Sequence, residues 1–332
     1  MKRGRTRRRA PAAAQAKTMK DGLAHGRAAV TAVLAGKGKG VMGGSGKSGL
    51  LIAEGDSWFD FPGDDVLAIL ENDFNYRVES VAHRGDTVEG IAYDQAQVRA
   101  LARAFQHVKQ DGRVPRAILL SGGGNDIAGN EFAVLLNHAE SPLTPLNSKI
   151  VEGVLDERLR FAIGSVIGAV TALSQSLFGK KIPVLMHGYG YPVPDGRGFL
   201  GGFWVLPGPW LKPGFAAKGY HDMEQCCTIL EDLIDRFNVL LQSIAGSPGF
   251  EHVTYVDMRP LLSNELPKLY KKSWTDELHP TDDGFKLVAG KLDQEIHRVA
   301  PLPAGPKGPQ AAGFGAVIRS TRPRKTRPSS RR

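Results

Sequence analysis

From residue 50 onward the hydrophobic positions alternate between two spacings. Five short apolar or β-branched runs, Leu50–Glu54, Arg77–Ala82, Ala117–Ser121, Pro183–His187 and Val253–Asp257, have strand length. Continuous apolarity over so few residues is what a strand covered on both faces requires. Between these runs the apolar residues fall at helical spacing. Thr87–Gln110 carries Val88, Ile91, Val98, Leu101 and Phe105 on one predicted helix face, and Leu155–Leu177, Met223–Ile244 and Asp282–Val299 repeat the pattern. A shorter helix is predicted to open on Asp64 and Asp65 and run through Leu70, since acids are favourable at a helix N-terminus. Strand and helix in regular alternation predict an α/β domain with a parallel sheet and helices on both faces.

Three stretches break the alternation. Residues 188–219 are rich in Gly, Pro and aromatics and follow the fourth strand. A loop of this length in a compact domain is usually functional or disordered, and its aromatics argue against disorder. Tyr189, Tyr191, Phe199, Phe203, Trp204 and Trp210 either line a pocket or lid, or pack a small satellite core. Residues 36–48 end in Gly46-Lys47-Ser48, which looks like the close of a phosphate-binding loop. That pattern needs Gly five residues before Gly46, where Val41 stands, so a flexible linker is expected. Residues 1–20 are Arg-rich and then Ala-rich. Thr6-Arg7-Arg8 looks like a twin-arginine signal, but no adequate apolar region follows, so a cytoplasmic location is expected with export left open. No run of about 18 apolar residues is present, and no membrane span is expected.

Charge changes the picture of the ends. The 332-residue chain has a net charge of +9. Residues 1–20 hold eight Lys/Arg and residues 302–332 another eight, with no acid in either stretch. The 27 Lys/Arg that remain face 34 Asp/Glu, so the middle of the chain carries −7. The basicity therefore belongs to the tails, where contact with nucleic acid or another polyanion would be electrostatic. The only two cysteines, Cys226 and Cys227, are adjacent and read as small apolar residues on a helix; no metal-ligand spacing is present.

Candidate chemistry lies just beyond the C-terminal ends of the predicted strands, where open α/β sheets bind ligands. After the first strand comes Gly55-Asp56-Ser57, after the third Gly122-Gly123-Gly124-Asn125-Asp126, and after the last Asp276-Glu277-Leu278-His279. G-D-S, G-x-N-D and D-x-x-H in this order resemble the SGNH/GDSL hydrolase family over roughly Leu50 to Leu292. The resemblance implies a flavodoxin-like three-layer α/β/α sandwich with a five-stranded parallel sheet, and cleavage of an acyl or acetyl ester without metal or organic cofactor.

In that reading Ser57 is the nucleophile, His279 the base and Asp276 the group that orients it. Asn125 and the backbone N–H of Ser57 would form an oxyanion hole. By the resemblance, a third donor comes from a Gly after the second strand, here Gly85 in Ala82-His83-Arg84-Gly85-Asp86; the residues before it depart from the family pattern. Arg84 or His83 either contacts substrate or is simply solvated. Trp58, Phe59, Tyr191 and Trp204 are candidate substrate contacts, although Trp58, Phe59 and Phe61 would serve core packing equally well. Asp56 and Asp126 are expected to fix turns, Asp60, Asp64 and Asp65 to serve helix capping, and His187 to be either a pocket-wall or a core residue. The chain is thus divided into a basic, Gly-rich disordered tail and linker over 1–48, a hydrolase domain over 49–301 with an insertion at 188–219, and a basic disordered tail over 302–332. The rival function is a non-catalytic binding protein on the same fold, recruited to polyanions by its tails.

Overall fold

The computed structural model describes residues 12–34, 47–129, 131–199 and 207–302. The chain divides into two units, Met1–Pro301 and Leu302–Arg332. Every element below lies in the first; beyond Leu302 the expected basic tail falls outside the described residues, as does 35–46, the greater part of the expected linker.

Five strands, β1 (Leu50–Glu54), β2 (Arg77–Ser80), β3 (Ala117–Leu120), β4 (Val184–His187) and β5 (Val253–Val256), form one sheet in the order β2-β1-β3-β4-β5. All four pairings are parallel, with Leu51 opposite Val78 on one side and Ala117 on the other. This is the flavodoxin-like order, whose switch point lies between β1 and β3. The three inner strands are buried along their whole length, whereas the edge strands β2 and β5 are only partly covered. Continuous apolar runs therefore mark the inner strands, while β2 at the edge carries Arg77, Glu79 and Ser80.

Helices α2 (Val66–Asn72) and α9 (Asp282–Val299) pack against each other on one face of the sheet. Asp65 caps α2 by accepting from Ala68 N at 2.7 Å, as its position predicts. The other face carries α3 (Val88–Tyr93), α4 (Gln95–Gln110), α6 (Arg160–Phe178) and α8 (Met223–Ala245). The single helix expected over Thr87–Gln110 is two. Asp94 is extended at φ −68° and ψ 120°, ends α3, and its side chain accepts from Ala96 N to cap α4. Helix α5 (Ser148–Glu152) leads through a wide π-helical turn, Gly153–Leu159, into α6, so this helical stretch begins earlier than expected. A short helix, α7 (Lys212–Ala217), closes the insertion.

The expectation of a disordered tail over 1–48 is corrected within it. Ala12–Leu34 forms a 23-residue helix, α1, packed along α6 and touching α4. Met19 and Val30 are buried at 3% and 1% exposure. The helices meet backbone to backbone through Gly22 and Gly26 of α1 and Gly164 and Gly168 of α6. A Cβ placed on Gly26 would lie 1.8 Å from Ser165 O, and one on Gly168 would lie 2.5 Å from Leu23 O. This contact explains why α6 is apolar all round: the sheet covers one side and α1 another. Ser148–Phe178 is long and apolar enough to cross a membrane by length and composition, but here two thirds of its most apolar stretch is buried within the fold.

Candidate active site

The nucleophile candidate sits on a tight turn at the end of β1. Phe59 N donates to Asp56 O at 3.0 Å, which brings Ser57 to the crest of the turn. Asp56 fixes that turn as expected: its carboxylate accepts from Trp58 N at 3.1 Å, Ser121 Oγ at 2.7 Å and, very closely, the Tyr189 hydroxyl. Gly55 allows β1 and β3 to approach here, since a Cβ on it would lie 2.6 Å from Ser121 Cβ. Trp58 Nε1 donates to Leu278 O at 3.0 Å and so ties this turn to the loop that carries His279.

That loop is closed by a bridge between Trp274 and Pro280 and by Thr275 N donating to His279 O at 2.9 Å. Asp276 is fully buried and accepts from Leu278 N and His279 N, each at 2.8 Å, and from His279 Nδ1 at 2.9 Å. The contact with the Asp276 oxygens suits the imidazole tautomer that carries its proton on Nδ1, which presents Nε2 as an acceptor. His279 Nε2 lies 2.8 Å from Ser57 Oγ. Two residues 222 positions apart in sequence are thus joined by one hydrogen bond. Phe61 lies against one side of the imidazole, with ring centroids 4.6 Å apart, and Trp210 meets it edge-on at 5.5 Å.

On the β3 side, Asn125 donates from Nδ2 to Asp86 O at 2.9 Å, and its second N–H remains for another acceptor. Asp126 accepts from Val88 N at 2.8 Å and Glu89 N at 3.2 Å at the start of α3, and burial pushes its carboxyl up to about 6. The Asn-Asp pair therefore fixes the loop after β2 against the loop after β3. Gly85 lies in that first loop with φ +86°, next to the Asp86 carbonyl that Asn125 engages. Arg84 does not face the site: its backbone N–H and its Nε both donate to Asp60, at 3.0 and 3.2 Å. Asp60 thus pairs with Arg84, and the capping expected of the Asp60–Asp65 cluster is done by Asp65.

A cavity of about 70 Å³ opens beside Ser57 and Asn125. Of the expected substrate contacts, Trp58 lines it, but two others do not. Phe59 is 3% exposed and packs on His187 in the core, and Tyr191 donates to Asp235 Oδ1 at 2.8 Å. Trp204 and Phe203 lie outside the described residues. His187 is a core residue: it is buried, stacks on Trp58 at 5.3 Å, and burial lowers its pKa.

Of the aromatics after β4 expected either to line a pocket or to pack a satellite core, Tyr189 lines the cavity, and its hydroxyl bridges Asp56 and Gly124 N, joining the Ser57 turn to the Asn125 loop. Sequence reasoning missed one residue of the site. Glu277, fully buried between Asp276 and His279, accepts from four backbone donors in the insertion. These are Gly196 N (2.9 Å), Trp210 N (2.6 Å), Leu211 N (2.7 Å) and Lys212 N (3.1 Å). Arg197 answers from the other side, donating to Trp274 O at 3.0 Å and Thr275 O at 2.6 Å. The insertion over 188–219 is therefore latched to the Asp276–His279 loop, and Trp210 reaches the imidazole through that latch. Among the described residues, no three His, Cys, Asp or Glu side chains converge as a metal site.

No family model and no curated protein matches this chain. Solved structures that resemble it include a protein described as a GDSL-like lipase from Parabacteroides merdae ATCC 43184, at 12% identity, covering 77% of this chain and 98% of that one with a TM-score of 0.42. Two others are a catalytic mutant of an acetylxylan esterase from Geobacillus stearothermophilus (15% identity, 77% and 96% covered, TM-score 0.40) and a GDSL-like lipase from Bacteroides thetaiotaomicron VPI-5482 (13%, 83% and 98%, 0.36).

Proposed function

We propose that the chain is a serine hydrolase of the SGNH type that cleaves a carboxylic ester. The observation that carries the reading is the continuous hydrogen-bonded line from Ser57 Oγ through His279 to buried Asp276, at 2.8 and 2.9 Å. In this reading Ser57 Oγ attacks the ester carbonyl carbon while its proton passes to His279 Nε2. Asp276 keeps the Nδ1 proton in place and stabilises the imidazolium. The tetrahedral oxyanion takes hydrogen bonds from the free N–H of Asn125, from Ser57 N–H and from Gly85 N–H. The carbon–oxygen bond to the alcohol then breaks, and His279 Nε2–H supplies the proton that the alcohol needs to leave. Water, deprotonated by the same nitrogen, attacks the acyl-enzyme; collapse releases the acid and returns the proton to Ser57 Oγ.

Hydrolysis of p-nitrophenyl acetate by the full chain and by its Ser57→Ala and His279→Ala variants tests this. Each variant should lose about 10⁴–10⁶ in kcat, keeping only the residual rate of about 10³–10⁴ over water that the oxyanion hole and binding supply, while melting cooperatively like the parent, because members of a triad act as a unit. A Ser57→Ala protein that hydrolyses the ester at the parent rate would remove Ser57 from the chemistry.

A further inference from the structure

The first turn of α4 sends a polar side chain to the sheet edge where the chemistry lies. Asp94 is the N-cap of α4, so Gln97 stands at the third helical position. A glutamine there often reaches back to the N–H of the cap. In this chain Asp94 N already donates to Gly90 O at 2.9 Å as α3 ends, and Gln97 turns to the sheet instead. Its Nε2 lies 3.0 Å from Glu54 Oε1 at the end of β1, 3.0 Å from Val81 O just past the end of β2, and 3.1 Å from Asp86 Oδ2. Oxygen surrounds the amide on all three contacts, so it presents its NH₂, and two N–H groups are shared among three acceptors. Glu54 Oε1 also accepts from Gly55 N at 2.9 Å, which anchors that contact to the turn before Ser57.

Val81 and Asp86 are the two ends of the segment that carries Gly85. Within it, His83 N donates to Gly55 O at 3.0 Å and Asp86 N to His83 O at 3.1 Å. The Asp86 carbonyl accepts from Asn125 Nδ2 at 2.9 Å. One amide on a rigid helix therefore clamps the segment at both ends, and through Asp86 it also sets the carbonyl that orients Asn125. We infer that Gln97 is a positioning residue of the oxyanion hole, holding Gly85 N–H and the second N–H of Asn125 on one oxygen; the inference rests on Ser57 being the nucleophile. Gln97 touches no reacting atom and acts only through the segment it clamps. Its loss misplaces donors without deleting them. A displacement of about 1 Å can cost about 10² in rate, whereas deleting a donor costs about 10²–10³.

Gln97→Met keeps the length of the side chain and removes its donors, at a half-buried position that tolerates the change. In the full chain it should lower kcat for p-nitrophenyl acetate by about 10- to 100-fold and leave KM within about threefold, because the aligned donors act mainly in the transition state. In an Asn125→Ala background the same change should cost a factor smaller by about threefold or more, since one of the donors it aligns is gone. Hydrogen exchange read by mass spectrometry should be faster by about fivefold or more over residues 82–87 and unchanged in β3. A kcat within about twofold of the parent, or an equal loss with and without Asn125, overturns the inference while leaving the hydrolase reading intact. A parent that cleaves no ester ends the hydrolase reading and the role in the oxyanion hole together. Exchange then judges the clamp alone: faster exchange over 82–87 supports it, and unchanged exchange overturns it.

Discussion

Gly26→Ala sets two physical effects against each other. In an exposed helix the change would stabilise α1 by about 0.5–1 kcal/mol, because Ala loses less conformational freedom than Gly. In the docked helix the new Cβ would stand 1.8 Å from Ser165 O and 2.9 Å from Ala169 N, both backbone atoms of α6 that cannot rotate away. Ordinary contact needs well over 3 Å, so α1 must shift by more than an ångström. Where the shift is absorbed, overpacking costs about 1–3 kcal/mol. Where α1 undocks, Met19 and Val30 return to water at about 1.5–3 kcal/mol each. Net of the propensity gain, the variant should be less stable by up to about 2.5 kcal/mol where the shift is absorbed and by about 2–5.5 kcal/mol where α1 undocks. Urea denaturation of the full chain, followed by far-ultraviolet circular dichroism, reads this as a lower midpoint. Lys20→Ala, on the exposed side of α1, should stay within about 0.5 kcal/mol of the parent. A Gly26→Ala protein as stable as the parent, or more so, would show that α1 does not pack closely on α6, and would restore residues 1–48 to the tail.

Glu54, buried at the end of β1, is pushed up to about 8 by burial. A carboxyl whose pKa is higher folded than unfolded withdraws stability as pH rises from about 4.5 to about 8, so Glu54→Gln should be stabilising by about 3 kcal/mol at pH 7 and flatten that decline in a pH series of melts. Glu277→Gln keeps shape but turns an NH₂ toward two of four N–H donors; it should cost about 2–6 kcal/mol in denaturation and lower the ester rate, because the insertion that places Trp210 on His279 loosens. Asn125→Ala should lower kcat by about 10²–10³ with little change in KM, and an unchanged kcat in steady-state assays would remove Asn125 from the oxyanion hole.

The three inner strands were legible because they are short, apolar and buried along their whole length, whereas β2, Arg-Val-Glu-Ser at a partly covered edge, was placed mainly by the alternation of strand and helix around it. Their ends fell within two residues of the expected positions, as at Ser80 against Ala82. Ser57, Asn125, Asp276 and His279 were singled out for a different reason, the joint occurrence of three short motifs and the resemblance they carry, and the fold brings Ser57, His279 and Asp276 into one hydrogen-bonded line. Helix α1 was not legible, because its contact surface is made of Gly22 and Gly26, which in sequence look like helix breakers and in the fold are the points of closest approach. Asp94 divided a predicted helix because its carboxylate caps the second half, an outcome that apolar spacing does not encode. Glu277 was hidden for a third reason. Its partners are backbone N–H groups 65 to 81 residues away, and a backbone donor leaves no mark in a sequence. Phe59 and Tyr191 were expected at the substrate on adjacency to the nucleophile and on residue type alone, and the turn at Asp56 and the pull of Asp235 send them elsewhere.

One serine, activated by one histidine, is proposed to carry the chemistry. Full-length protein treated with an alkyl fluorophosphonate and digested for mass spectrometry tests this most directly. A single phosphonylated peptide is expected, the one containing Ser57, with the label absent from Ser57→Ala and formed far more slowly in His279→Ala. A label on any other residue, or none on a protein that still hydrolyses esters, would contradict it.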